Sequence, residues 1–297
     1  MTDDVARHVL AHNYDQTLSL SLLEVDAAGD LDAQARLMHD LEARGRLDRV
    51  LEGLPSAIEV GERAMLGKGL TRPELAVLLA YGKLDLFDDI IASAAPDDPW
   101  FAGALRDYFP DGLARFGELM GRHRLRREII ATVVDNQMVN LCGPTFAARL
   151  RASAGCDTRA LVAAFEAARQ VLRFDEIWRR VAHLDLRAPA AAQTALFREL
   201  VSLLRGQTFW LARLAMRDNL SVRDMVETYR PAVDALKDLA PRVLSPFERK
   251  AAVRRAAGWV KAGAPKAIAH TVAVMQPLTL ATTLTDLARA SDRSRLV

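Results

Sequence analysis

Apolar residues recur at three- and four-residue spacing along nearly the whole chain, and strict alternation of apolar and polar residues is almost absent. The first spacing is the period of an α-helix, and alternation is the period of a half-buried strand. Alanine, leucine and arginine, which are strong helix formers, dominate the sequence. The pattern therefore predicts an all-α fold, an irregular array of antiparallel helices joined by short turns, with no sheet.

Caps and breakers give the approximate limits of the predicted helices. We expect helices at about 3–25, 31–44, 47–51, 57–66, 71–93, 122–141, 145–152, 158–172, 175–184, 189–216, after Ser221, after Ser245, and at 265–275 and 278–290. Thr71 with Glu74 and Ser245 with Glu248 have the spacing of capping boxes. Pro231 should kink the helix that follows Ser221 or end its first half. Sub-domain boundaries are expected near 67–70, 109–112 and 186–190.

The helix predicted at 122–141 carries two apolar stripes, so it should be enclosed by other helices rather than wet on one side. Asn136 and Asn140 would then be amides in packed surroundings, where buried amides need partners. They predict either a ligand or partner site, or a satisfied pair that fixes the register of the helix. Gly82, between Leu79 and Leu86, predicts the close approach of another helix, and Gly82→Leu should lower stability through a clash.

A third apolar pattern follows the helix predicted at 189–216. Its spacing resembles a coiled-coil seam that contains a glutamine, and its members are Leu196, Leu200, Leu203, Gln207, Trp210 and Leu214. Internal packing and an oligomer contact are both open at this point.

Composition narrows the class of protein. The 297 residues include 40 basic and 38 acidic side chains, so the formal net charge is only +2 and no dedicated nucleic-acid binder is indicated. Two cysteines cannot build a disulfide framework, which favours a cytoplasmic location. The longest apolar runs, such as 75–81, are shorter than the ~20 residues of a membrane span, and the acidic start is unlike a signal peptide. We expect neither a nucleic-acid partner nor a membrane.

Motifs that carry enzyme chemistry are missing. The chain has no G-x-G-x-x-G, G-x-S-x-G, H-E-x-x-H or C-x-x-C, and Gly67-Lys68-Gly69 lacks the spacing of a phosphate loop. His8 and His12 have a metal-ligand spacing, but no third ligand is nearby, so a solvated pair is favoured. The residues therefore predict no catalytic, cofactor-binding or metal-binding site residue in this chain.

Two basic stretches remain to be explained. The first, at 122–127, could bind phosphate or form a surface turn paired with carboxylates such as Glu118 and Glu128. The second, at 249–266, predicts a basic amphipathic helix with Phe247 and Trp259. Such a helix suits an anionic partner or a membrane surface, and a solvated face over a core contact is the favoured alternative.

Longer strings resemble one family, the large bacterial NAD-specific glutamate dehydrogenases. The strings are LTRPELAVLLAYGKLDLFDDIIAS at 70–93, HRLRREIIATVVDNQMVNLCGPTFAARL at 123–150, VARHVLAHNYDQTLSLSL at 5–22, RLDRVLEGLP at 46–55 and PLTLATTLTDLARAS at 277–291. The resemblance is collinear over essentially the whole chain. It implies that 1–297 is a C-terminal helical domain of such an enzyme, downstream of the catalytic region. A weak echo of 150–162 at 287–297 indicates either truncation at the C-terminus or a chance similarity of Ala/Arg-rich segments. Truncation at both ends is expected.

The resemblance implies a function for the parent enzyme rather than for a site in this segment. The parent oxidatively deaminates L-glutamate to 2-oxoglutarate and ammonia with NAD. None of the family's catalytic or NAD-binding motifs matches a residue here, so the segment should be inactive alone. It would serve structure, assembly or regulation, with the upstream catalytic region as partner and a homo-oligomer as the full-length enzyme. The alternatives are an independent helical interaction scaffold and nucleic-acid binding through the two basic stretches.

Overall fold

Helices make up the regular structure of the described chain. The computed structural model describes residues 2–295, apart from the side chains at 111, 238, 240–243 and 292–295. The order is α1 (Thr2–Asp26), α2 (Leu31–Ala43), α3 (Ala57–Met65), α4 (Arg72–Ala92), α5 (Ala102–Tyr108), α6 (Gly117–Gly121), α7 (Arg126–Cys142), α8 (Phe146–Ala154), α9 (Thr158–Val171), α10 (Phe174–Ala182), α11 (Ala190–Asp218), α12 (Val222–Val243), α13 (Pro246–Lys261), α14 (Lys266–Leu278) and α15 (Leu280–Arg295). Three short 3₁₀ segments lie between α4 and α6. No strand occurs in residues 2–295, and the all-α prediction is confirmed.

The chain divides into two compact units, an N-terminal unit (Met1–Val162) and a C-terminal unit (Ala163–Val297). The division falls within α9. The sub-domain boundaries expected near 67–70, 109–112 and 186–190 correspond to connections between helices, and they stay predictions.

Three helices form the core of the N-terminal unit. Helix α4 packs on α1 and α7, and α1 also contacts α7. Leu75, Leu78 and Ile90 of α4 are fully buried, and so is Met138 of α7. Burial on more than one side of α7 agrees with the two stripes that its sequence carries.

Close packing in this unit depends on a glycine. A Cβ atom at Gly82 would lie 2.6 Å from the Cβ atom of Pro144. The predicted close approach at Gly82 is therefore present, but the neighbour is the turn between α7 and α8 rather than another helix.

The long helix α11 runs through the core of the C-terminal unit, where it contacts α10, α13 and α14. Leu196, Leu200 and Leu214 of its seam are buried. Gln207, 3% exposed, donates a hydrogen bond from Nε2 to Oγ1 of Thr282 at 3.2 Å. Four of the six seam residues are thus buried within this unit, which favours internal packing, and the oligomer contact stays an untested interpretation.

Several predicted limits need correction. Residues 47–51 form turns rather than a helix, because Oδ1 of Asp48 accepts the backbone N–H groups of Val50 and Leu51 at 3.0 and 3.1 Å. Helix α7 begins at Arg126 rather than 122, after a turn in which the ring of His123 accepts the N–H of Leu125.

Pro231 does not end its helix. Helix α12 continues from Val222 to Val243, with Pro231 exposed and Val226, Tyr229 and Val233 buried. The proline ring faces solvent while the buried side holds the helix together.

The C-terminal helices also differ from the prediction. Helix α15 continues to Arg295, so the sequence echo at 287–297 lacks the helix break found at 155–157 in its first copy. The last two residues of this echo, 296 and 297, lie outside the described residues. The stretch Lys266–Ser291 has the length and composition of a membrane-crossing helix, yet half of its most apolar window is buried inside the protein. A core helix of a soluble protein passes the same test.

Candidate functional site

A polar cluster lies where α1, α4 and α7 meet in the N-terminal unit. It comprises Asp15 of α1, Lys83 of α4, and Asp135, Asn136 and Asn140 of α7. The Nζ of Lys83 donates a hydrogen bond to Oδ1 of Asn136 at 2.7 Å, and Nδ2 of Asn136 donates to the carbonyl oxygen of Thr132 at 2.8 Å. No described carboxylate lies within ion-pair distance of Lys83. The lysine charge is therefore held by an amide oxygen.

Burial shifts the pKa values of the two ionisable groups at the centre of the cluster, Asp135 and Lys83. Asp135 is 4% exposed, and its Oδ1 accepts no hydrogen bond within the described chain. Burial raises the pKa of Asp135 to about 7, against the attraction of Lys83. Burial also lowers the pKa of Lys83, which Asp135 and the exposed Asp15 oppose. Both groups are thus pushed toward their neutral forms.

Asn136 and Asn140 do not form the satisfied pair that the sequence left open. Each is half-buried, and Asn136 is satisfied by Lys83 and its own helix. Oδ1 of Asn140 is buried and accepts no hydrogen bond from the described residues. Asn136 thus joins α7 to α4, and Asn140 retains an unused acceptor.

The arrangement can bind a proton near neutral pH and couple it to the packing of three helices. Its described residues present no convergent set of hydrogen-bond donors of the kind that stabilises developing charge in a reaction centre. Sequence reasoning missed Lys83 and Asp135. The signal was available, because Asp135 lies between apolar stripes on a helix predicted to be enclosed.

Bidentate arginine pairs hold the same unit together. Arg44, which ends α2, donates to both carboxylate oxygens of the buried Asp85 on α4 at 2.6 and 3.0 Å. Arg63 of α3 donates to both oxygens of Glu74 at 2.6 and 2.8 Å. Glu74 also accepts the backbone N–H of Thr71 at 2.6 Å, one half of the predicted capping box. Burial favours the neutral form of Glu74, yet its hydrogen bonds from Arg63 and Thr71 leave its pKa below the ordinary value.

The first basic stretch, at 122–127, comprises a surface turn and the first two residues of α7, and the carboxylate that pairs with it is neither Glu118 nor Glu128. Arg126 and Arg127 both pair with Asp97. Arg127 also donates to the carbonyl oxygens of Ile91 and Ser93 at 2.8 and 3.0 Å. Two of the four arginines in this stretch therefore fix the chain that follows α4.

The second basic stretch lies on α13 and the start of α14. The buried residues of α13 are Ala252 and Ala256. Phe247 is 82% exposed and Val253 56% exposed. The large apolar side chains of this amphipathic helix thus remain on the surface beside its basic residues. The predicted capping box at Ser245 and Glu248 is present.

The remaining sequence candidates do not assemble a site. His8 and His12 are exposed on α1, and no group of three or more metal-ligating side chains was found within residues 2–295. Gly67 and Gly69 lie between α3 and α4, and a Cβ atom at Gly69 would lie 2.3 Å from the carbonyl carbon of Ala27. The turn between α1 and α2 thus packs directly on Gly69 and leaves no space there for the phosphate groups of NAD.

The described residues thus form an all-α fold with a buried polar cluster between α1, α4 and α7. A family model described as glutamate dehydrogenase, C-terminal, matches residues 67–296. The chain belongs to this family.

Three relatives carry the name NAD-specific glutamate dehydrogenase. The protein of Pseudomonas aeruginosa is 39% identical over 293 residues, and that of Halomonas elongata is 37% identical over 293 residues. Each match covers 98% of this chain and 18% of the relative. The Mycobacterium tuberculosis protein is 33% identical over 273 residues, which is 92% of this chain and 17% of the relative. The chain thus spans less than a fifth of the length of these relatives.

Proposed function

We propose that this chain is a non-catalytic helical domain of an NAD-dependent glutamate dehydrogenase. The complete enzyme would oxidatively deaminate L-glutamate to 2-oxoglutarate and ammonia, with NAD bound elsewhere in the polypeptide. The match to NAD-specific glutamate dehydrogenases over 98% of this chain and 18% of the relative carries the proposal.

The structure supports a packing role for this domain. Its arginines join helices to one another, as in Arg44–Asp85 and Arg63–Glu74. The first turns of α1 expose apolar side chains, with Val9 51% and Leu10 68% exposed. Exposed apolar surface of this kind is typical of an interface. The catalytic region of the same polypeptide is the partner we assign to it.

Assembly and location complete the proposal. The full-length enzyme would be a homo-oligomer in the cytoplasm, without nucleic acid or membrane as partner. Cys142 and Cys156 are both buried and form no disulfide within the described chain, which suits a reducing compartment.

Removal of this segment from the full-length enzyme tests the proposal. We expect the truncated enzyme to lose most of its glutamate-dependent NADH formation or its native oligomeric mass, measured by absorbance and light scattering. As a control, the purified 297-residue chain is added in trans to the truncated enzyme, and it should restore the lost NADH formation or oligomeric mass. Full activity and unchanged mass without the segment would contradict the proposal.

A direct measurement on the segment separates packing from catalysis. The 297-residue chain alone should neither turn over glutamate nor bind NAD stoichiometrically in calorimetry. Tight NAD binding would show that the segment carries part of the catalytic site.

The alternative is an independent helical scaffold, which the exposed apolar and basic side chains of α13 favour. Most of the seam on α11 is buried and so offers such a scaffold little docking surface. Sequencing the gene upstream of Met1 distinguishes the two functions. A much longer open reading frame supports the dehydrogenase domain, and its absence supports the scaffold.

A further inference from the structure

A pocket of about 140 Å³ opens in the C-terminal unit. Its walls come from the end of α9, from α10, α12 and α14. Apolar side chains form most of the wall, among them the buried Ile177, Val233 and Met275. The pocket belongs to no site described above.

Size and lining limit what the pocket can hold. A dry cavity of ~150 Å³ lined by apolar side chains accommodates benzene. A body of about five or six carbons therefore fills a pocket of this volume.

Charged side chains surround the entrance, and part of their charge is already neutralised. Arg173 donates to both carboxylate oxygens of Asp234 at 2.7 and 2.9 Å and pairs with Glu176 at 3.4 Å. Arg173 has a φ of 48°, in the left-handed region that a side chain other than glycine rarely adopts. Strained residues of this kind concentrate at binding sites.

Two cations at the entrance have no such partner. Arg180 and Lys237 also line the pocket. Neither forms an ion pair with a carboxylate among the described side chains, although Lys237 is near enough to Asp234 to help lower the pKa of that carboxyl. The hydrogen bond of Arg180 runs from Nη2 to Oγ1 of Thr271 at 3.4 Å, which is long and weak. An anionic group above the apolar wall would find two positive charges there.

We propose that this pocket binds a small monocarboxylate with an apolar body of about five or six carbons. The carboxylate pairs with Arg180 and Lys237, and the apolar body lies against Ile177, Val233 and Met275. The dicarboxylates glutamate and 2-oxoglutarate are excluded, because their second carboxylate would be buried without a partner. The site is distinct from the proposed dehydrogenase chemistry and does not depend on it.

Hexanoate is the probe, titrated into the 297-residue chain and followed by NMR chemical shifts. We expect a Kd on the order of 1 mM or tighter, as befits so small a ligand. Hexan-1-ol, hexylammonium and glutarate should each bind at least about tenfold more weakly, because each lacks either the charge-assisted hydrogen bonds or the apolar fit. Equal binding of hexan-1-ol or glutarate, or no binding of hexanoate, would overturn the proposal.

Matched variants place the binding in this pocket. Arg180→Gln should weaken hexanoate about tenfold, and Val274→Trp should abolish binding by filling the pocket. Arg179→Gln is the control for the first variant, because it makes the same charge change at an exposed neighbour that does not line the pocket. Equal loss in Arg179→Gln and Arg180→Gln would refute the assignment.

Discussion

Asp135 lies in the middle of α7 with almost no exposed surface, and its pKa of about 7 exceeds the ordinary value of 3.8. The folded state therefore binds this proton more tightly than the unfolded state. The contribution of Asp135 to the free energy of unfolding therefore falls as the pH rises from about 4 to 7, and this contribution is lost above pH 7. The attraction of Lys83, which lowers the pKa of Asp135, does not outweigh burial.

We expect Asp135→Asn to stabilise the chain at pH 8 by about 1 kcal/mol or more, because no buried charge has to form. Its unfolding free energy should also depend less on pH between 5 and 8. Urea titrations at the two pH values measure both effects. Asp107→Asn, at an exposed site on α5, is the matched control. A variant less stable than the parent at pH 8 would mean that the negative charge is needed beside Lys83.

Gly82 and Gly206 make a matched pair of helical glycines. A methyl group at Gly82 meets Pro144 at 2.6 Å, whereas one at Gly206 meets nothing within 4 Å. Gly82→Ala should destabilise the chain by about 1–3 kcal/mol through overpacking, and Gly82→Leu should cost more. Gly206→Ala should stabilise it by up to about 1 kcal/mol through helix propensity. Thermal melts that move in the same direction for both alanine variants would contradict this account.

At the scale of elements, the period of apolar residues predicted the helices well, because it reports which face of each helix is buried. Helix α4 begins and ends within a residue of its predicted limits, since Thr71 and Glu74 cap its start. The helix predicted at 47–51 was wrong because the local hydrogen bonds of Asp48 are not reported by the spacing of apolar residues. The polar cluster escaped prediction for another reason. Lys83 and Asp135 are 52 positions apart in the sequence, so only the packing of α4 on α7 shows their proximity.

Two prolines in helices should respond differently to alanine. Pro231 lies inside α12, where it removes the hydrogen bond to the carbonyl oxygen of Glu227, while Pro246 is the first residue of α13 and removes no helix bond. We expect Pro231→Ala to raise the free energy of unfolding by about 1–3 kcal/mol. Pro246→Ala should change it by less than about 1 kcal/mol. Chemical denaturation compares them, and a destabilised Pro231→Ala would show that α12 requires the proline.

At the scale of the whole molecule, the distribution of positive charge decides which kind of partner the surface suits. Forty basic side chains stand against thirty-eight acidic ones. Arg126 and Arg127 are paired with Asp97, whereas several basic side chains of α13 are exposed. Its Lys250 and Arg254 lie beside the exposed Phe247 and Val253. That mixture suits an acidic protein surface better than a nucleic-acid backbone, which carries no apolar patch to match.

Nucleic-acid binding should therefore be no more than nonspecific. We expect the 297-residue chain to bind duplex DNA at physiological salt with a Kd no tighter than about 10⁻⁴ M, the weak end of nonspecific binding. Filter binding across a salt series measures it, with the double variant Lys250→Gln, Arg254→Gln as the comparison. Micromolar affinity that falls steeply with salt and disappears in the double variant would favour the nucleic-acid alternative. Weak binding that is equal in both proteins leaves the α13 surface for a protein partner, because its exposed apolar side chains gain nothing from contact with phosphate.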